Sequence, residues 1–168
     1  IDTSATYDTL SKNNIQGNLF YTYNKLKDSL KSSQLKLGVS FNLIDHKNVN
    51  IDTSYYNLCL RSNYKFKHKK AQFDLGASYF LIGYRAEDYF INGGITSFHK
   101  DLKFNIQAKY ENVTPAFELL RYYGNHSYWV NSFTDQKILN LSGSLLFNEW
   151  NVSTHYTDIF NPIFFNYL

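Results

Sequence analysis

The sequence predicts an all-β protein, an antiparallel up-and-down meander of strands long enough to cross a bilayer, and three observations lead there. The first is alternation. In the stretch Leu102 to Val113, Leu102, Phe104, Ile106, Ala108 and Tyr110 share one parity, while Lys103, Asn105, Gln107, Lys109 and Glu111 share the other. A strand with this order is apolar on one face and polar on the opposite one, and no helical period fits it. The second is length: the alternating segments run nearer to about ten residues than to the roughly 5 to 6 of soluble strands, and about 9 to 11 tilted residues span a membrane. The third is composition. Charged residues are 18% of the chain, below the roughly 25% of soluble domains, whereas Phe and Tyr occur 14 and 15 times.

Taken in order, the segment from Ile1 to Asn14 has no sustained period and reads as an irregular start or a partial strand. Ile15, Gly17, Leu19, Tyr21 and Tyr23 alternate with polar residues and make a first strand, and Lys25 to Ser33 turns the chain. Gln34 to Leu43 alternates most cleanly, with Leu35, Leu37, Val39, Phe41 and Leu43 opposite Gln34, Lys36, Gly38, Ser40 and Asn42. Asp45 to Asn48 closes it. Val49 to Phe66 reads as one long strand whose apolar parity slips near Tyr55 and Tyr56, where a bulge would re-phase it. After the basic turn Lys67 to Lys70, Phe73 to Leu81 alternates again. Arg85 to Asp88 is a polar loop, and Tyr89 to Phe98 is a strand weakened by Gly93 and Gly94. His99 to Asp101 turns into the Leu102 strand. A long loop, rich in rings and amides, then runs from Pro115 to near Gln136. Leu139 to Phe147 and Trp150 to Thr157 are the last two strands, joined at Asn148 and Glu149, and Asp158 to Leu168 shows no clear period.

About eight such strands without a helical pattern between them make a meander the default topology. The absence of any compositional break keeps residues 1–168 as one unit. Turns after odd-numbered strands are short, though Lys25 to Ser33 is looser, and the longest loop follows an even-numbered one, the asymmetry of an outer-membrane barrel. Rings at Tyr21, Tyr23, Tyr84, Tyr89, Phe98, Tyr110, Phe147, Trp150 and Tyr156 fall near strand ends, where interfacial girdles sit. The expected fold is therefore a transmembrane outer-membrane β-barrel or part of one. Its apolar parity, including Leu37, Phe41, Leu75, Ile106 and Leu141, faces lipid. Its polar parity lines the lumen, and the candidate pore-lining residues are Lys36, Asn42, Gln72, Asp74, Lys103, Asn105, Gln107, Lys109 and Glu111. In a narrow or plugged interior the same residues would instead hydrogen-bond to one another across the wall.

Several function classes are disfavoured. A net charge of +3 with scattered lysines gives no nucleic-acid footprint, and no nucleic-acid partner is expected. The one cysteine, Cys59, has no internal disulfide partner and no Cys or His at metal-ligand spacing, so it reads as a small packed hydrophobe. No apolar run reaches the length of a spanning helix. The chain has no Met and no basic-then-apolar opening, and it reads as a mature or partial chain.

The segment Pro115-Ala-Phe-Glu-Leu-Leu-Arg-Tyr-Tyr-Gly-Asn-His-Ser-Tyr-Trp-Val-Asn131, with Asn125 and His126 followed by Trp129 and Asn131, resembles a loop in the putative porins of the Bacteroidota outer membrane. The flanking meander resembles that family too. The resemblance implies a bacterial outer-membrane location, contact with outer-membrane lipid and other outer-membrane proteins, and more strands than eight. The chain ends in Asn166-Tyr167-Leu168 rather than on the terminal aromatic of a complete barrel, so an incomplete segment of a larger barrel is expected.

Three functional readings stand on the sequence: passive diffusion of small hydrophilic solutes, a non-conducting structural barrel in an envelope assembly, and a soluble carbohydrate-binding β-sandwich. In the last, Tyr122, Tyr123, Tyr128 and Trp129 would stack on sugars. Enzymatic chemistry is not expected, nor is a cofactor or metal. Asp45 with His46, Glu87 with Asp88, and His126 near Trp129 lack second partners at a spacing that builds a nucleophile, an acid-base pair or a metal shell. Glu87 and Asp88 read as solvated loop residues. Asn125, His126 and Trp129 read as a loop anchor, with lumen or ligand contact as the alternative. The Asn-x-Ser/Thr triplets at Asn112, Asn125, Asn140 and Asn151 read as chance in an Asn-rich chain.

Overall fold

The chain alternates over most of its length, and the backbone follows that alternation into strands. A computed structural model describes residues 11–28, 31–48, 51–123 and 128–163. The elements are β1 (Ser11–Asp28), β2 (Lys31–Asn48), β3 (Ile51–His68), β4 (Ala71–Gly83), β5 (Tyr89–His99), β6 (Leu102–Val113), α1 (Phe117–Leu120), β7 (Arg121–Tyr123), β8 (Tyr128–Val130), β9 (Gln136–Phe147) and β10 (Trp150–Phe160). The long strands form one 8-stranded antiparallel sheet in the order β1-β2-β3-β4-β5-β6-β9-β10, and β7 and β8 make a separate hairpin within the long loop. Among the described residues β1 and β10 are not paired to each other, so this is an open meander with two edges.

The connections differ between the two ends of the sheet. At one end 69–70, 100–101 and 148–149 are tight turns. Lys69, Lys100 and Asn148 there have φ of 51°, 48° and 51°, the left-handed backbone that lets a tight turn follow the strand twist. At the other end lie the connection 84–88 and the long loop from 114 to 135. β1 runs into the region expected to turn, because Asn24 pairs with Gln34, Lys25 with Ser33 and Leu26 with Ser32. The Gln34 side chain also donates to Asn24 Oδ1 at 2.9 Å, which continues the ladder past the alternating residues. Ser11 to Asn14, within the segment read as an irregular start or a partial strand, pair with β2, so this part is strand. Residues 1–10 and 164–168 lie outside the described part.

Register assigns the faces. Leu19 pairs with Val39, Val39 with Leu60, Leu60 with Tyr79 and Tyr79 with Tyr89, so all of these side chains share one face. Ile95, Ile106 and Gly143 continue that face into β5, β6 and β9, and Leu145 with Val152 carries it into β10. Leu37, Phe41, Leu75, Ile106 and Leu141 all lie on it and are exposed. The buried side chains belong to a different population. Among the described residues Cys59 and Phe80 are the buried hydrophobics, and Ser40, His46, Asn57, Asp88, Glu111 and Asn112 are buried polar groups. An apolar outer face with polar burial inside inverts the pattern of a soluble domain, and a patch of this extent is not left to water. Among the described residues the large sheet is single, and the hairpin of β7 and β8 is the other one.

Two expectations are corrected. The ladder between β2 and β3 is unbroken through Leu43–Tyr56 and Ile44–Tyr55, so there is no bulge at Tyr55. The irregularity lies one strand further on, where Leu58 pairs with Ile82 and Cys59 with Phe80, leaving Leu81 as the extra residue in β4. Tyr55 breaks the apolar parity because it faces inward against the long loop. The ring girdle is also incomplete. Phe98 sits on the inner face beside Lys103, and Tyr84 leaves the sheet in the β4–β5 connection.

Candidate lumen wall and its inward loop

The inner face starts from the residues left over when the apolar parity turns outward. Lys36 on β2 pairs with Asn63, Asn63 with Gly76, Gly76 with Asn92 and Asn92 with Lys109, so one row of this face crosses β2 to β6. The same parity holds Asn42, Gln72, Asp74, Lys103, Asn105, Gln107 and Glu111. The sequence-read lumen residues therefore share one face, though they spread over β2, β4 and β6 rather than meeting at one point.

Local contacts tie most of them to the wall. Gln72 donates to Asp74 Oδ2 at 2.9 Å, and Lys65 Nζ lies 4.0 Å from the other Asp74 oxygen. Asn105 donates to Thr96 Oγ1 at 2.7 Å across β5 and β6. Lys109 pairs with Glu111 at 2.8 Å. Lys36 Nζ sits 4.0 Å from the centre of the Phe20 ring, and Lys103 Nζ 5.6 Å from that of Phe98. Glycine lets larger neighbours lie flat on this wall. A Cβ on Gly38 would run into the Phe20 ring, and one on Gly76 into the Asn92 amide. Asn42 Oδ1 is buried without a hydrogen-bond partner.

The long loop covers one end of this face, and the β4–β5 connection holds its start. Asp88 is 0% exposed. One of its oxygens accepts from the backbone N–H and the hydroxyl of Thr114, each at 2.7 Å, and the other accepts from Arg85 Nε at 2.6 Å. The expectation of a solvated Asp88 fails because Thr114 closes over it, while Glu87 beside it is exposed as expected. The Arg85 backbone N–H donates to Asn57 Oδ1 at 2.8 Å, and its guanidinium lies 4.4 Å from the Phe80 ring centre. Tyr84 donates its hydroxyl to the Pro115 carbonyl at 2.6 Å. Burial pushes that phenol up to about 12, with Tyr55, Glu118, Asp88 and Asp135 adding to the effect, so it stays a donor.

Past Pro115, the short helix α1 lies against inward residues of β1, β2 and β3. The Phe117 ring packs on His46 at 5.1 Å, Tyr55 at 5.7 Å and Tyr84 at 5.9 Å between centroids. Glu118 Oε1 accepts from Lys12 Nζ at 2.7 Å and stands 3.7 Å from His46 Nδ1. Burial pushes the Glu118 carboxyl up. The Lys12 hydrogen bond, its own backbone N–H and the charges of Lys12 and His46 outweigh that and hold it below the usual range. The Lys12 and Glu118 contacts were not legible in the sequence, since nothing local links residues so far apart.

The motif residues finish the loop. Trp129 Nε1 donates to the Glu118 carbonyl at 3.1 Å, and Asn131 donates through its side chain to Leu119 at 3.0 Å and through its backbone to Leu120 at 2.7 Å. These bonds take up carbonyls that the end of a helix leaves open, so both residues sit where a loop anchor would. Asn125 and His126 lie outside the described residues, as do the side chains of Tyr122, Tyr123 and Tyr128. Among the described residues no group of His, Cys, Asp or Glu is arranged to hold a metal.

No match was found among curated proteins or among solved structures. The family described as "Putative porin" matches residues 2–168. With that match over nearly its whole length, on a meander that is apolar outside and polar within, the chain belongs to the putative porin family.

Proposed function

We propose that this chain forms part of the wall of a water-filled channel in a bacterial outer membrane, through which small hydrophilic solutes pass by passive diffusion. The observation that carries the reading is the division of faces. Strands of crossing length turn Leu37, Phe41, Ile106 and Leu141 outward and Lys36, Asp74, Gln107 and Lys109 inward. An apolar exterior is what hydrocarbon requires, and a charged interior is tolerated only where water or counter-charges reach it. Lipid is then the partner of the outer face, and other outer-membrane proteins are partners of the assembled barrel. Incorporation of the full-length protein into planar bilayers tests this. Stepwise conductance supports diffusion, and a silent bilayer containing folded protein removes it.

A second reading has an observation of its own. Beneath the Phe117 ring of the inward loop His46 is 1% exposed, which is the environment of a filled interior rather than a wet wall. A barrel filled in this way along its whole length would scaffold an envelope assembly without conducting. The same bilayer measurement separates the two.

A further inference from the structure

On β3 the inward residue Arg61 faces Gly38 of β2 and Ser78 of β4. Its diagonal neighbours on β2 are Lys36, opposite Asn63, and Ser40, opposite Cys59. No carboxylate pairs with Arg61 or Lys36 among the described residues. The one acidic residue on the neighbouring part of β4, Asp74, is engaged by Lys65 and Gln72. Two like charges thus stand on adjacent strands with nothing between them to neutralise either, an arrangement that repels unless an anion joins it.

The polar atoms beside them are also unspent. Arg61 Nε and Ser40 Oγ are both buried without a hydrogen-bond partner, and Ser40 is 3% exposed. Such atoms carry a desolvation cost that a bound acceptor would relieve. Lys36 stands over the Phe20 ring, which itself fills the space above Gly38. Position adds to the argument. Toward the loop, Cys59 and Asn57 on the same face are each 1% exposed, whereas the Lys65 side chain on the other side of Arg61 is 52% exposed. Arg61 therefore marks the place where the inner face of β3 passes from exposed to buried side chains.

We infer that Arg61, with Lys36 and the hydroxyls of Ser40 and Ser78, forms an anion-binding station on the lumen wall that favours small solutes carrying a carboxylate or phosphate group. A guanidinium presents a planar fork of donors to an oxyanion, an ammonium adds a point charge, and hydroxyls complete the shell. This inference rests on the diffusion reading and goes further by naming the class of solute.

The test is the reversal potential of the full-length protein in planar bilayers under a potassium chloride gradient, with inorganic phosphate as the competing probe. The expected wild type prefers chloride, and phosphate lowers its chloride current. Arg61→Gln and Lys36→Gln should each reduce the chloride-to-potassium permeability ratio by about sevenfold, since a unit charge about 7 Å away in water changes the passage of each ion about threefold and acts with opposite sign on chloride and potassium. Arg61→Lys should keep the preference but weaken the phosphate effect, and it covers the case in which Arg61→Gln does not fold. Lys47→Gln makes the same change of charge at an exposed residue off this face and should leave the ratio alone. A conducting protein whose ratio and phosphate response are the same in wild type, Arg61→Gln and Lys36→Gln overturns the anion station and leaves the diffusion reading standing. Folded protein that carries no current overturns both.

Discussion

Lys12 and Glu118 stand 106 positions apart in the chain and meet with 2.7 Å between Nζ and Oε1. The bond joins the first strand to the helix of the long loop, so it holds that loop across the inner face instead of letting it stand away from the sheet. Its pH dependence follows from the carboxyl. Glu118 is held below its ordinary value of 4.5 in the docked loop. A depressed carboxyl stabilises the docked state above the ordinary value and loses that contribution as pH falls through the lower docked-state value. The protection of the α1 amides, that is their exchange relative to the intrinsic rate at each pH, should therefore be high at neutral pH and fall on acidification below about pH 4. Glu118→Gln should be less protected at neutral pH and show little further loss on acidification. An acid response that is the same in the variant would place the switch elsewhere.

Asp88 offers a larger effect at the root of the same loop. It is fully buried and accepts from Arg85 and twice from Thr114. Asp88→Ala removes three hydrogen bonds to a carboxylate and leaves a part-buried backbone N–H at Thr114 without its acceptor. The expected cost is roughly 2 to 4 kcal/mol, kept below the full value of a buried pair because Arg85 is partly exposed. Urea unfolding from liposomes measures it. Glu87→Ala, changing an exposed neighbour, is the control and should cost much less.

The tight turns allow a gain instead of a loss. Lys100 adopts φ 48° at the head of the turn between β5 and β6, a conformation that costs a residue with a Cβ about 1 to 2 kcal/mol and a glycine little. Lys100→Gly should raise the unfolding free energy by up to about 1 kcal/mol, since the glycine also adds freedom to the unfolded chain. Asp101→Gly, at the other residue of the same turn, has no left-handed strain to relieve and should destabilise. If both variants lose stability, the turn is not strained at Lys100.

Alternation made the two faces readable because a period of two needs no tertiary partner: Lys103 and Phe104 must point apart wherever the strand goes. Arg61 was not singled out by alternation, because the parity of its strand slips at Tyr55, and its place on the inner face and its isolation from carboxylates required the register with β2 and β4. What failed depends on partners distant in the chain. Tyr55 looked like a phase slip because its reason for facing inward, the Phe117 ring, is contributed by the loop. Asp88 looked solvated because Thr114 lies 26 positions away. Strand ends such as Lys25 and Leu26 break the alternation, with the lysine on the apolar parity and the leucine on the polar one, and become strand only because Ser33 and Ser32 are there to pair.

The face assignment itself is open to a direct test at two adjacent positions on β6. Ile106 pairs with Ile95 and Gly143 on the outer face and is 47% exposed, whereas Gln107 pairs with Gly94 and Ser142 on the inner one. A lysine at position 106 has to hold its ammonium in hydrocarbon near the middle of a strand, and at the bilayer midplane that costs roughly 2 to 4 kcal/mol. At position 107 the ammonium joins Lys103 and Lys109 on a wall that already carries charge and pays mainly a modest repulsion. Ile106→Lys should therefore lower folding stability in liposomes far more than Gln107→Lys. A tryptophan placed at each position gives a second reading independent of stability: bilayer-borne quenchers should dim Ile106→Trp and spare Gln107→Trp. Equal costs, or quenching at 107 and not at 106, would reverse the faces of β6. Because register carries every other strand with it, that result would turn Lys36, Arg61 and Lys109 out of the channel as well.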